Sequence, residues 1–452
     1  MIAAKLKEVY FLGIGGIGMS AIARYFHAQG IRVSGYDKTP SPLTDALIAS
    51  GMKVSFDESV EALPESVKQA SDEVLLVYTP AIPAQHAQKK YFEAQGRRLY
   101  KRSEVLGLIT QSNPTLAVAG THGKTTTSTL LTHLMVKAGV DSTAFLGGIA
   151  VNYGSNYIQA NNPATAPVIV EADEYDRSFL TLHPHMALIS SMDADHLDIY
   201  GESSAFEEGF RQFASQVKGK LFVREGLNPG RTDFYTYGIS ETADYCALNV
   251  RIENGAYVFD LKTPVQLIEN LSCGLPGRHN VENAVGASAI ALEYGITPEQ
   301  LREALASYRG VKRRFEYIVK ETGKVYIDDY AHHPTELSAF IQSAKELFPN
   351  KPLLGVFQPH LFTRTRDFME GFAESLSMLD TLVLMDIYPA REEPIEGINS
   401  SALLAQVSIA DKHLLPKEAI VDFVKERNPE ILLTMGAGDI DRLVPQLKEV
   451  MQ

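Results

Sequence analysis

Cysteine, positive charge and long apolar runs are all scarce in this chain of 452 residues. Its two cysteines, Cys246 and Cys273, have neither the paired spacing of a metal motif nor the number a disulfide framework needs, and a reducing cytoplasm is the expected setting. The 42 Lys and Arg face 55 Asp and Glu, a formal net charge of −13. That balance argues against a nucleic-acid partner, because phosphate contacts need clustered cations; local basic pockets for small anions stay open. No apolar run approaches the roughly 20 residues that cross a bilayer. Lys5, Lys7 and Glu8 interrupt any apolar stretch that would act as a signal peptide, so no membrane insertion is expected. What remains is 45% hydrophobic and 21% charged, ample for packed cores, over a length that suggests about three domains.

The chain is organised around residues 116–130. Leu116 to Ala119 is an apolar run that predicts a buried strand, Gly120 and Gly123 bracket a tight loop, and Lys124 opens a threonine-rich helix to about Ala138. A strand feeding a glycine loop and a helix N-terminus makes a phosphate cradle. Backbone N–H groups face the anion, the helix dipole favours negative charge, and the Lys is a point charge for β- and γ-phosphates. Thr125 follows that Lys, where a hydroxyl binds Mg²⁺. A standard P-loop has a glycine six residues before its Lys, where this chain has Val118. Glycines at both ends of Gly120-Thr121-His122-Gly123-Lys124-Thr125-Thr126 outweigh the plainer reading, a strand–turn–helix with an exposed lysine. The stretch is read as an ATP site.

Upstream, Glu8 to Leu12 is a strand running into Gly13, Gly15 and Gly18, which satisfy G-x-G-x-x-G. A helix Met19–Gln29 and a strand Arg32–Tyr36 ending at Asp37 follow. This Rossmann-like opening suits a nucleotide diphosphate, and taken alone it admits NAD, FAD, a UDP-sugar or close helix–strand packing. A strand at Glu73–Tyr78 and a short one near Arg98–Tyr100 lead into Lys101-Arg102-Ser103-Glu104. Downstream of the phosphate loop, Pro167–Glu174 and Met186–His196 are strands that deliver Glu171, Asp173 and Glu174, then Asp193, Asp195, His196 and Asp198, at their carboxyl ends. Acidic residues there often only cap helices; two such clusters beside a phosphate loop favour Mg²⁺ coordination. Phe222–Leu271 reads as short β segments without chemistry, and Asn280 and Asn283 share a helix face. From Tyr308 onward strands alternate with helices (Val325–Tyr330, Thr335–Leu347, Pro352–Gln358, Arg366–Met378, Thr381–Tyr388, Ile431–Met435), implying a second Rossmann-like parallel sheet.

With these motifs in view the whole chain resembles the Mur ligases, ATP-dependent amino-acid ligases of peptidoglycan synthesis. The resemblance rests on residues 120–126, Gly13 to Ser20, Glu171-Ala-Asp-Glu174, Asp328 to Glu336 and Phe357 to Asp367. It implies an α/β protein of three domains: a Rossmann-like UDP-substrate domain over 1–108, a P-loop ATPase-like domain over 109–310, and a Rossmann-like domain over 311–452 that closes on ATP and accepts the amino acid. The implied reaction joins L-alanine to the lactyl carboxylate of UDP-N-acetylmuramate through an acyl phosphate, with ATP and Mg²⁺, in a monomer or weak homodimer.

Residue by residue, the resemblance puts the nucleotide on Gly120, Thr121, His122, Gly123, Lys124, Thr125 and Thr126. It puts adenine on Asn280 and Asn283, the ribose on Asp329 and the phosphates on Lys124 and Arg314. Thr125, Glu171 and His196 are the implied metal ligands, and Lys124, His196 and Arg314 the catalytic set. Gly15, Gly16, Ile17, Gly18 and Asp37 fall to the UDP substrate, His360 and Arg364 to the amino acid. Leu361 stands where the family more often has Arg, and Tyr175 replaces a frequent Ser. Residues 197–217 contain no Lys, so no carbamylated lysine is expected. The competing readings are a ligase that attaches a ready-made tripeptide, an NAD-dependent oxidoreductase, and a non-catalytic nucleotide-binding regulator.

Overall fold

The structure, a computed structural model, describes residues 6–193, 203–253, 255–390 and 392–452. Apolar runs near the N-terminus become five parallel strands, β1 (Glu8–Leu12), β2 (Arg32–Tyr36), β3 (Lys53–Ser55), β4 (Val74–Tyr78) and β5 (Leu99–Lys101). They pair in the order β3-β2-β1-β4-β5. The order reverses at β1, where an open α/β sheet leaves a crevice beyond its carboxyl ends. There Gly13 turns at φ 88° and the helix Ile17–Ala28 starts, two residues before the expected Met19.

The central sheet holds β6 (Thr115–Ala119), β7 (Thr143–Ala150), β8 (Ser155–Ile158), β9 (Val168–Ala172), β10 (Met186–Ile189), β11 (Leu221–Arg224), β12 (Tyr235–Gly238), β13 (Tyr245–Glu253), β14 (Ala256–Lys262) and β15 (Leu267–Cys273). Its order is β15-β14-β13-β12-β11-β10-β6-β9-β7-β8, with β6 flanked by parallel β10 and β9. All five residues of β6 are buried, as a two-sided parallel sheet requires. The helix Lys124–Lys137 is buried from Thr126 to Met135 despite its hydroxyls. Two of those hydroxyls back-bond, Thr132 to the Ser128 carbonyl (2.8 Å) and Ser128 to the Thr125 carbonyl (3.3 Å). Gly139 (φ 83°) ends the helix, donating to the Val136 carbonyl while Val140 donates to that of Met135.

The third sheet contains β16 (Glu316–Glu321), β17 (Lys324–Asp329), β18 (Leu353–Phe357), β19 (Thr381–Leu384), β20 (Lys412–Leu414) and β21 (Ile431–Met435), in the order β16-β17-β21-β18-β19-β20. The parallel expectation needs correction at one edge. β16 runs antiparallel to β17 through a tight turn at Gly323 (φ 85°), whereas the other pairs are parallel. The expected helix Arg366–Met378 is two helices, Phe362–Asp367 and Met369–Leu376, broken where Phe368 leaves helical angles (φ −122°, ψ 23°).

By contacts the chain forms two compact units. The first comprises Met1–Asn249, Phe259–Leu271 and Glu282–Arg309, the second Val250–Val258, Ser272–Val281 and Gly310–Gln452. One core in the first unit joins residues of both its sheets, from Val9 and Phe11 through Ala117 and Val170 to Phe213. In the second, cores cover the two faces of the third sheet. Position 108 falls inside the helix Arg102–Thr110. Among the described residues no helix is long and apolar enough to cross a membrane.

Candidate active site

The phosphate loop is stitched from both ends. Gly120 adopts φ 137° and Gly123 φ 79°, conformations that cost an L-residue about 1–2 kcal/mol or more. A Cβ on Gly120 would collide with the Ser190 hydroxyl, and one on Gly123 would lie 2.8 Å from Asn283 Oδ1. Across the loop, Ser190 Oγ donates to the His122 carbonyl (2.5 Å), His122 N–H to Ser191 Oγ (2.7 Å), and Thr121 Oγ1 to the Asp193 carbonyl (2.8 Å). Gly123 caps the helix Lys124–Lys137 with no side chain, so its first N–H groups stay directed at the loop. Lys124 Nζ donates to the Gly120 carbonyl (2.6 Å) and to Glu174 Oε1 (2.9 Å). Burial pushes the Glu174 carboxyl up to about 7, against the lowering pull of that lysine.

Glu171 lies on β9 opposite Val118 of β6, next to the strand end that leads into the loop. Gly147 on β7 leaves room for the Glu171 carboxylate, which would have to shift to make way for a Cβ there. The expected metal ligands Thr125 and Glu171 offer a hydroxyl and a carboxylate, hard oxygen donors of the kind Mg²⁺ takes. His196, with Asp195 and Asp198, lies outside the described residues. Among the described residues no cluster of three His, Cys, Asp or Glu is ready to hold a metal.

A cavity of about 270 Å³ runs from Glu171 to the other glycine loop; Gly16, Ile17, Gly18, Arg102 and Asp173 are among its other walls. Gly16 caps the helix Ile17–Ala28, again with no side-chain acceptor. Gly15 N–H donates to Asp37 Oδ2 (2.7 Å), so the carboxylate at the end of β2 braces the loop. Arg102 reaches Asp173 (3.3 Å) from the start of its helix. Sequence reading passed over Arg102 as a candidate, noting it only within Lys101-Arg102-Ser103-Glu104. Its cationic side chain just beyond a strand end was the one local signal that it could line the site.

In the second unit, Arg314 lies 3.9 Å from Glu336 Oε1 with its guanidinium 5.3 Å from the Tyr330 ring centre. Its neighbour Arg313 (φ 61°) is structural, donating to Asp328 Oδ2 (3.1 Å) and the Gly436 carbonyl (2.6 Å). Asp329 accepts from the N–H groups of Phe315 (2.6 Å) and Ala331 (2.7 Å), and burial pushes its carboxyl up to about 6. Asn280 donates to the Pro276 carbonyl (2.6 Å) and so closes the turn before its helix. His360 stacks on Tyr388 (5.7 Å, 13°), and burial, then Arg364, pushes the imidazole down to about 4, so it is neutral at pH 7. Leu361 takes φ 72° and starts the short helix that carries Arg364.

A glycine loop on a carboxylate-lined cavity, with a phosphate loop one strand away, supplies the parts of an enzyme that handles a nucleotide and a second anionic substrate. The chain belongs to the Mur ligase family. Residues 8–113 match the family's model "Mur ligase family, catalytic domain", 118–291 "Mur ligase middle domain" and 313–438 "Mur ligase, glutamate ligase domain". A UDP-N-acetylmuramate–L-alanine ligase from Christiangramia forsetii is 50% identical over 448 residues, 99% of this chain and 98% of the relative. Among solved structures, the UDP-N-acetylmuramate–alanine ligase of Thermotoga maritima superposes with a TM-score of 0.82 at 25% identity, over 98% of both chains. A murein peptide ligase from Psychrobacter arcticus gives 0.72 at 22% identity over 98% of both chains, a likeness of fold alone.

Proposed function

We propose that this chain uses ATP to join L-alanine to the lactyl carboxylate of UDP-N-acetylmuramate. A carboxylate at neutral pH is a poor electrophile. Its attack on the γ-phosphate gives an acyl phosphate and ADP; the alanine amine then displaces phosphate and leaves an amide. Stabilising crowded negative charge is the main demand on such a site. The N–H groups and Lys124 of residues 120–126 answer it on the nucleotide side. Thr125 and Glu171 would hold Mg²⁺, which supplies charge neutralisation on the phosphates when bound. Gly15 to Gly18, braced by Asp37, take the diphosphate of the UDP substrate with Arg102 as the cation. From the family resemblance, His196 is assigned to metal, Asn280 and Asn283 to adenine, Asp329 to ribose, Arg314 to phosphate, and His360 with Arg364 to the amino acid. The division 1–108, 109–310 and 311–452 is proposed with it, supported by family matches over 8–113, 118–291 and 313–438.

The observation that carries the reading is the cavity running from the glycine loop at 16–18 to Glu171, one strand away from the phosphate loop. It suits a substrate whose diphosphate meets the glycines while its carboxylate end approaches the γ-phosphate. The test is phosphate release with ATP, Mg²⁺ and UDP-N-acetylmuramate, comparing L-alanine with the tripeptide L-Ala-γ-D-Glu-meso-diaminopimelate. Release with L-alanine alone is expected. Release with the tripeptide alone would move the protein to the tripeptide-attaching reaction, and silence with both would remove the ligase assignment.

A further inference from the structure

Oxygens close round the Lys124 ammonium. Nζ donates to the carbonyls of Gly120 (2.6 Å) and Thr121 (3.2 Å) in its own loop and to Glu174 Oε1 (2.9 Å), with Glu174 Oε2 at 2.7 Å. An ammonium has three N–H bonds. A phosphate oxygen therefore gains Lys124 only when one of these partners yields. The two carbonyls belong to a loop pinned by Ser190, Ser191 and Asp193. Glu174 is a side chain at the start of the 3₁₀ segment Tyr175–Thr181, and of the three it is the one that can exchange without moving the loop.

Resting on the reading of Lys124 as the β/γ-phosphate lysine, we propose that Glu174 is a positioning residue for the nucleotide. It keeps Lys124 folded over the loop while the phosphates are absent and releases it to them when they bind. The two glutamates of Glu171-Ala-Asp-Glu174 then divide the work: Glu171 faces the cavity and would hold the metal, whereas Glu174 holds the lysine. Glu174 is only 1% exposed, so little water competes for its contact with Lys124, and that contact stands against the incoming phosphate.

Calorimetric titration of ADP and of adenosine into the wild type, E174Q and E174D tests this. Gln keeps the shape and a hydrogen bond but removes the charge that the phosphate must displace, so ADP binds about 5- to 10-fold tighter. Asp keeps the charge one methylene further off, and its ADP affinity falls between Gln and wild type. Adenosine, which has no phosphate, binds all three alike. ADP affinity equal to or below wild type in either variant, or a matching rise for adenosine, overturns the proposal; if one variant does not fold, the other alone is enough to decide. A wild type that binds no ADP would instead overturn the reading of the loop itself.

Discussion

On the proposed reading Lys124 meets the nucleotide phosphates and Arg102 the UDP diphosphate, so their removal should separate two binding steps. Lys124 donates to two carbonyls of its own loop and to Glu174. Lys124→Ala should abolish ADP formation while UDP-N-acetylmuramate binding stays measurable by calorimetry; near-normal turnover would sink the assignment. Arg102 lines the cavity beside Gly16 to Gly18 and is held there by Asp173. Losing a charge-assisted contact of this kind costs about 1.5–3 kcal/mol, so Arg102→Ala should raise the KM for UDP-N-acetylmuramate roughly 10- to 100-fold. The KM for ATP should hold, and steady-state kinetics with each substrate varied in turn would expose the reverse pattern. The lysine was legible in the sequence because a glycine loop and a helix start are local features. Glu174 was read only as one of the carboxylates at a strand end; its pairing with the lysine was not legible, since that pair spans 50 positions, and the Arg102–Asp173 pair spans 71. Only the pairing of β6 with β9 brings the first two together.

The helix Lys124–Lys137 carries a second polar feature at its far end. His133 is 4% exposed, with Nδ1 3.0 Å from the Tyr153 hydroxyl and Nε2 3.0 Å from Ser307 Oγ. Ser307 commits its own proton to the Ala304 carbonyl, so Nε2 bears the imidazole hydrogen and Nδ1 accepts from Tyr153. Burial pushes this histidine from 6.5 down to about 4. The folded state therefore binds fewer protons than the unfolded one between those values. Stability from this group is complete above pH 6.5 and is lost as pH falls towards 4, on the order of 3 kcal/mol in all. Urea unfolding of wild type and His133→Gln at pH 7, 5.5 and 4.5 should show the wild type losing more stability on acidification. Parallel pH profiles would refute it. The start of this helix was legible from Gly123 and Lys124, and its end was expected at about Ala138, one residue past the observed Lys137. The hairpin of β16 and β17 was not, because Glu316–Glu321 mixes charged and apolar residues and only Gly323 marks its turn.

At the scale of the whole chain the two units are interleaved in sequence, and no local pattern announces it. Val250–Val258 and Ser272–Val281 belong to the unit otherwise built from Gly310–Gln452. Tyr257, 1% exposed, donates to Glu346 Oε2 (2.6 Å) on the helix Pro334–Leu347. Gly277 (φ 100°) passes so near the same helix that a Cβ would come 2.6 Å from Ser343 Oγ. A fragment cut at 311–452 lacks all of this, although the motif pattern marks it as a domain. Burying one Tyr side chain and bonding its hydroxyl to a carboxylate are together worth about 4 kcal/mol, or roughly 10 °C in Tm for a unit of this size. The excised fragment should therefore melt about that far below the lowest calorimetric transition of the intact chain. If it melts at the same temperature or higher, the two earlier segments contribute nothing to this unit, and the contiguous boundary at 311 is the better physical description.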